Sequence, residues 1–219
     1  MSYVLHYAPD NASAIVRVVL EEMGLPYRTV LVDRSVRAQK SAAYLALNPV
    51  GVIPTLQTPE GPLSETAAIL LWLGQRHGRM LPEGGAFLKW LFFTSNTAHA
   101  DLRMVFYPGQ YVGDDPTAQA ALHREVTARM RGHFTLLDRA GVDEGSILAP
   151  YVAFLLRWAA LYGAGGTEWF DLSDYPALAG MAARLEYRPS VQAVAGAEGL
   201  GAHPFTRPEP CQPPEGSAL

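Results

Sequence analysis

Asn48-Pro49-Val50-Gly51-Val52-Ile53-Pro54-Thr55-Leu56, followed by Leu63-Ser64-Glu65-Thr66-Ala67-Ala68-Ile69, is the stretch on which the fold turns. Residues 41–47 read as a short helix ended by Asn48-Pro49, because a residue before proline is pushed out of the helical region. Val52 to Gln57 is β-prone, Thr58-Pro59-Glu60-Gly61 is a turn, and Pro62-Leu63 returns. Two short strands around that turn make a hairpin. From Ser64 a helix is predicted to about His77, with Ala68, Ile69, Leu71, Trp72 and Leu73 apolar.

Working outward toward the N-terminus, Tyr3 to Tyr7 reads as a strand entering a turn at Ala8-Pro9-Asp10-Asn11. Ser13 is a candidate cap for the helix that follows from Ala14, and Gly24-Leu25-Pro26 stops that helix. Tyr27 to Val32 is a second β-prone run. A β-α-β crossover of this kind implies parallel strands. Asp33 to Lys40 reads as a polar, basic loop. The chain from Tyr3 to His77 therefore reads β-α-β-α-β-β-α. After Leu81-Pro82-Glu83-Gly84-Gly85 no clear strand follows. Phe87 to Tyr107, Pro116 to Arg139, Ile147 to Tyr162, Pro176 to Glu186 and Ser190 to Glu198 read as helices. The expected fold class is thus α/β plus all-α: an α/β domain over 1–80, an all-helical domain over 86–203, and a Pro-rich tail over 204–219.

Composition limits what the chain does. Of 219 residues, 49% are hydrophobic and 17% charged, enough to bury a full core. The net charge is −4 and no Lys/Arg run appears, so neither nucleic acid nor an anionic membrane is an expected partner. Met1 to Asp10 lacks the basic and apolar regions of a signal peptide. The longest apolar stretch, Ile147 to Tyr162, contains Arg157. It is shorter than a bilayer-spanning helix, which needs roughly 20 apolar residues. A cytoplasmic protein is expected. Cys211 is the only cysteine, which excludes an internal disulfide, and the six histidines show no ligand spacing, so no metal is expected.

The paired segments resemble the N-P-x-G-x-V-P-x-L…E-S-x-A-I pattern of glutathione transferases, whose thioredoxin-like domain has the same order of elements. Arg188-Pro-Ser-Val-Gln-Ala and Ala197-Glu-Gly-Leu look like the tail of the bacterial beta-type enzymes, as does Tyr151 with Leu156-Arg-Trp. The resemblance covers roughly residues 3 to 200. It implies a cis peptide before Pro54, with the backbone of Ile53 turned out to pair with the cysteinyl part of glutathione, next to Val52. It implies that Thr66, opening the third helix, takes the γ-glutamyl carboxylate on unsatisfied N–H groups, and that Glu65 faces the substrate ammonium. Helix capping is the plain alternative for Ser64 to Thr66. Arg34, Arg37 and Lys40 lie where a cation often meets the glycine carboxylate; Arg37 neighbours the beta-type lysine position, which falls on Val36.

A glutathione thiol has a pKa of about 8.5, so a donor at the start of the first helix must stabilise its thiolate. Three candidates stand in Tyr7 to Ser13, ranked Asn11, Ser13, Tyr7. Tyrosine-type members use a residue placed as Tyr7. The serine-type position falls on Asn11, and some bacterial members use an asparagine in this loop. The beta-type cysteine position holds Ala12, followed by Ser13, which removes the mixed-disulfide chemistry of those enzymes. Each candidate also has a structural reading: turn, cap or core. In the helical part, His99 aligns with a histidine lining the beta-type site, with Asn96 one turn before it, and Phe106 is a candidate wall of an apolar second-substrate pocket. Ser146 stands at the family's capping box before the buried helix, but Ala149 replaces its acidic partner, so local compensation is expected.

The reading is a glutathione transferase that conjugates or reduces a small hydrophobic electrophile or peroxide. It uses glutathione as substrate and no metal, and the family implies a homodimer. The competing reading is a non-catalytic binding or regulatory protein on the same scaffold.

Overall fold

Helix α1 (Ala12–Glu22) explains why the first unit folds as it does. Ala14, Ile15, Val16, Val18, Val19 and Leu20 are all fully buried. Each large aliphatic side chain buried this way contributes about 1.5–3 kcal/mol relative to exposure. Its end is a Schellman turn: Leu25 N–H bonds Leu20 O and Gly24 N–H bonds Glu21 O, each at 3.0 Å. Gly24 supplies the left-handed φ of +64° that this turn requires. The chain then returns as β2 (Tyr27–Leu31), parallel to β1 (Tyr3–Tyr7) with Tyr3 opposite Tyr27 and Tyr7 opposite Leu31.

The computed structural model describes residues 2–218. After β2 come a 3₁₀ turn (Ala38–Lys40), α2 (Ala42–Leu45), β3 (Thr55–Thr58), β4 (Gly61–Ser64) and α3 (Thr66–His77). The sheet is four-stranded in the order β2-β1-β3-β4, with β3 antiparallel to both β1 and β4. This is a thioredoxin-like domain, in the element order the sequence predicts. Two boundaries differ. The strand expected from Val52 begins at Thr55, leaving 52–54 outside the sheet. The helix expected from Ser64 begins at Thr66, because Ser64 still pairs with Thr55 in the sheet and Glu65 turns the chain at a φ of +68°.

The remainder is helical: α4 (Gly85–Phe93), α5 (His99–Phe106), α6 (Gly109–Val112), α7 (Pro116–Ala140), α8 (Leu148–Leu161), α9 (Pro176–Leu185) and α10 (Pro189–Glu198). The single helix expected over 87–107 is interrupted by a π turn at Thr94–Ala98. α7 starts where Asp115 accepts the Thr117 N–H at 2.9 Å, with proline at its first position. α8 is buried from Leu148 through Ala159, including Arg157. Its missing capping acid is compensated nearby: Ser146 Oγ accepts the Leu148 N–H at 3.3 Å and donates to Asp143 O at 2.6 Å.

By compactness the chain divides into two units. One holds 1–81, 186–204 and 209–219; the other holds 82–185 and 205–208. In the first unit α1 packs on α3 and on α10. Among the described residues no helix is long and apolar enough to cross a membrane.

Candidate functional site

The loop from β1 to α1 carries the three candidate thiol donors, and the fold treats each differently. Asn11 is the N-cap of α1; its Oδ1 accepts the Ala12 N–H at 3.0 Å. This leaves the Nδ2 amide, a donor, without a hydrogen bond among the described residues, on a side chain that is partly exposed. Ser13 is fully buried, and its hydroxyl donates to Ala8 O at 3.1 Å while accepting the Ala8 N–H at 3.3 Å. This corrects two expectations for Ser13. It is not the cap, and its proton is committed to closing the loop rather than open to a thiol. Tyr7 is buried, and its hydroxyl donates to the Glu215 carboxylate. Burial, then the Glu215 hydrogen bond, raise its pKa well above the ordinary phenol value. Tyr7 is therefore held as a neutral phenol whose proton is already placed.

Sequence reasoning missed what anchors this loop. Asp10 is buried at a φ of +49°, and its N–H donates to Glu198 Oε2 at 3.0 Å. Glu198, the last residue of α10, is fully buried and meets Arg17 Nη1 at 3.2 Å. Arg17 Nε also donates to the Tyr27 hydroxyl at 3.1 Å, and its guanidinium lies 5.6 Å from the centre of the Tyr7 ring. Burial pushes the Glu198 carboxyl up to about 7, against the opposing pull of Arg17. The only sequence signal was the Ala197-Glu-Gly-Leu match; nothing in it pointed to Asp10.

The decisive stretch builds a second element of the site. The Ile53–Pro54 peptide is cis, as the resemblance implies. Among the described residues, Ile53 N–H and C=O make no hydrogen bond. The loop before them is tightly held. Val52 O accepts from both the Tyr44 hydroxyl and Asn48 Nδ2 at 2.8 Å, and Asn48 Oδ1 accepts the Val50 N–H at 3.1 Å. The Val52 carbonyl is thus already occupied. Gly51 has a φ of +66°, and a Cβ there would lie 2.9 Å from Gln39 O, so only glycine fits. Pro54 is buried.

At the start of α3, Glu65 holds a left-handed φ. Such a conformation costs an ordinary residue about 1–3 kcal/mol. Its exposed carboxylate has no partner among the described residues. Thr66 is buried at the first position of the helix, where backbone N–H groups lack intrahelical partners. Of the loop cations, Lys40 Nζ donates to Val50 O at 3.2 Å and Arg34 Nη1 donates to Ala218 O. Arg37 is exposed at a φ of +55°, without a side-chain partner among the described residues.

In the second unit, His99 Nδ1 and the Tyr151 hydroxyl are 2.9 Å apart, and the imidazole lies 5.6 Å from the Trp158 ring. Burial, then Arg103, push its pKa down to about 4, so it is neutral near pH 7. Phe106 meets Tyr162 edge-on at 6.2 Å. Asn96 instead is exposed and accepts from Ser95 Oγ at 2.9 Å. A π turn lies between Asn96 and His99, so their spacing is not that of one α-helical turn.

A thioredoxin-like domain with an unpaired residue before its cis proline, followed by a helical region, is the architecture of glutathione-binding transferases. The glutathione S-transferase N-terminal domain family matches residues 12–76. The chain is 28% identical over 214 residues to glutathione S-transferase GST-4.5 of Xanthomonas campestris pv. campestris, covering 90% of this chain and 98% of that one. A sphingomonad glutathione S-transferase solved in complex with glutathione has a TM-score of 0.71 and 29% identity, over 90% of this chain and 100% of that one. A glutathione transferase homologue from Sulfitobacter shares the fold at a TM-score of 0.75 and 22% identity, over 89% of this chain and 97% of that one. Residues 12–76 belong to the glutathione S-transferase N-terminal domain family, and over nine-tenths of its length the chain is similar to bacterial glutathione S-transferases.

Proposed function

We propose that this protein is an enzyme that binds glutathione and activates its thiol with Asn11. The unpaired N–H and C=O of Ile53 carry the reading: they offer a short antiparallel pairing to the cysteinyl backbone of a bound peptide. Thr66 and the first N–H groups of α3 take the γ-glutamyl carboxylate, where the helix dipole favours an anion. Glu65 faces the ammonium group, and Arg37 takes the glycine carboxylate.

The thiol then sits at the N-terminus of α1. Asn11 Nδ2 donates to the sulfur, and the helix end adds partial positive charge. Both favour the thiolate over a thiol of pKa about 8.5. The thiol proton leaves to solvent, and the thiolate either displaces the leaving group of a small electrophile or attacks a peroxide oxygen. In the second case the O–O bond breaks, water or an alcohol departs, and the glutathione sulfenic acid reacts with a second glutathione to give the disulfide and water. Ala12 supplies no second thiol, so a mixed disulfide with the enzyme at this position is not part of the cycle. His99, neutral near pH 7, and Phe106 are the residues assigned to the second substrate. The protein works as a cytoplasmic homodimer.

Isothermal titration with glutathione tests the binding claim. Micromolar to low-millimolar affinity is expected, and no binding at millimolar glutathione would refute it. An Asn11→Ala variant that ionised bound glutathione as readily as the parent would refute the catalytic assignment.

A further inference from the structure

The C-terminal segment returns to the β1–α1 loop. Gln212 N–H donates to Gly199 O at 2.8 Å. A Cβ at Gly199 would lie 2.0 Å from Gln212 O, so the segment crosses the end of α10 at backbone contact. Three residues on, Glu215 accepts the Tyr7 hydroxyl proton. Gly216 then passes so close that an added Cβ would lie 2.6 Å from Leu31 Cδ1 and 3.3 Å from Pro9 Cδ. Ala218 O accepts from Arg34 Nη1. The segment is largely exposed on its outer side, so it lies over the surface as a strap. It binds one side chain at the thiol end of the candidate site, Tyr7, and one cation of the loop that neighbours Arg37.

We propose that residues 209–218 form an autoinhibitory strap, fastened in part through Arg34, that competes with glutathione for the β1–α1 loop. The inference rests on the glutathione-binding reading above. While docked, the strap lowers the fraction of molecules open to glutathione, which weakens the apparent affinity by that fraction. Glutathione in turn lifts the strap, since coupling between two sites is reciprocal.

The test uses two full-length variants that release the strap by different means. Glu215→Gln removes the charged acceptor from Tyr7. Gly216→Val places a side chain where Leu31 and Pro9 leave no room. Cys211, the only cysteine, reports strap docking through its rate of maleimide labelling. Both variants are expected to label faster than the parent and to bind glutathione more tightly in calorimetry. A gain of roughly 5-fold or more is the usual scale for such coupling. S-methylglutathione, which cannot consume the label, is expected to speed Cys211 labelling in the parent. If the parent binds glutathione but the variants bind no tighter and S-methylglutathione leaves labelling unchanged, the strap inference falls and the functional reading stands. If neither the parent nor the variants bind glutathione, the functional reading falls and takes the competition with it. Binding by the variants alone supports the strap and the functional reading together.

Discussion

Asn11 and Ser13 stand two residues apart, and packing gives them opposite duties. Ser13 faces inward and satisfies both the N–H and the C=O of Ala8. Asn11 faces partly outward and keeps its amide donor. Replacing Asn11 with alanine is expected to lower kcat/KM about 10²-fold, the scale of losing one preorganised donor to a developing anion. It should also raise the thiol pKa of bound glutathione, read from thiolate absorbance in the ultraviolet. Ser13→Ala is expected to leave that pKa unchanged and to cost about 1–3 kcal/mol of stability, because it orphans two buried backbone groups. Denaturant unfolding measures the loss; a shifted thiol pKa in this variant would reassign the donor. Thr66→Val keeps the side-chain shape but removes the hydroxyl, so KM for glutathione should rise roughly 10-fold with kcat little changed. Initial-rate kinetics separate the two parameters.

At the scale of elements, the end of α10 sets the geometry of a loop nearly the whole chain away. Glu198 holds the Asp10 N–H and Arg17 from a fully buried position. An unfolded glutamate titrates at about 4.3, and this one at about 7. In the folded state it therefore keeps a proton between those values that the unfolded chain gives up. The sign follows: its contribution to stability is complete below about pH 4 and is lost as pH rises toward about 7. Melting curves of the parent against Glu198→Gln, taken from acid to neutral pH, should differ by this slope, which the glutamine lacks. A parallel pair of curves would show that Glu198 titrates alike in the folded and unfolded chains. The junction of β4 and α3 follows the same logic: Ser64 stays in the sheet, Glu65 turns the chain, and the helix opens at Thr66 with its N–H groups presented.

The molecule as a whole joins a thioredoxin-like unit to a helical one, with α10 and the returning tail grouped with the former. Light scattering is expected to give twice the monomer mass, and a monomer at micromolar concentration would refute the homodimer.

The sequence by itself determined the order of elements and marked the cis proline and the loop that leads into it. Those features are local. Gly24, the Asn48–Pro54 run and the β-α-β spacing dictate their conformations through near neighbours, so they are legible residue by residue. The π turn before His99 was not legible, because the sequence of Thr94–Ala98 carries no breaker that marks it. The separation of Asn11 from Ser13 and Tyr7 was decided only by tertiary structure. Which of the three keeps a donor depends on what lies against each. Ala8 satisfies Ser13 across the turn, Glu215 reaches Tyr7 from 208 residues away, and nothing among the described residues meets the Asn11 amide. The Tyr7–Glu215 contact, at that sequence separation, is set by the packing of the chain on itself, which no local pattern encodes.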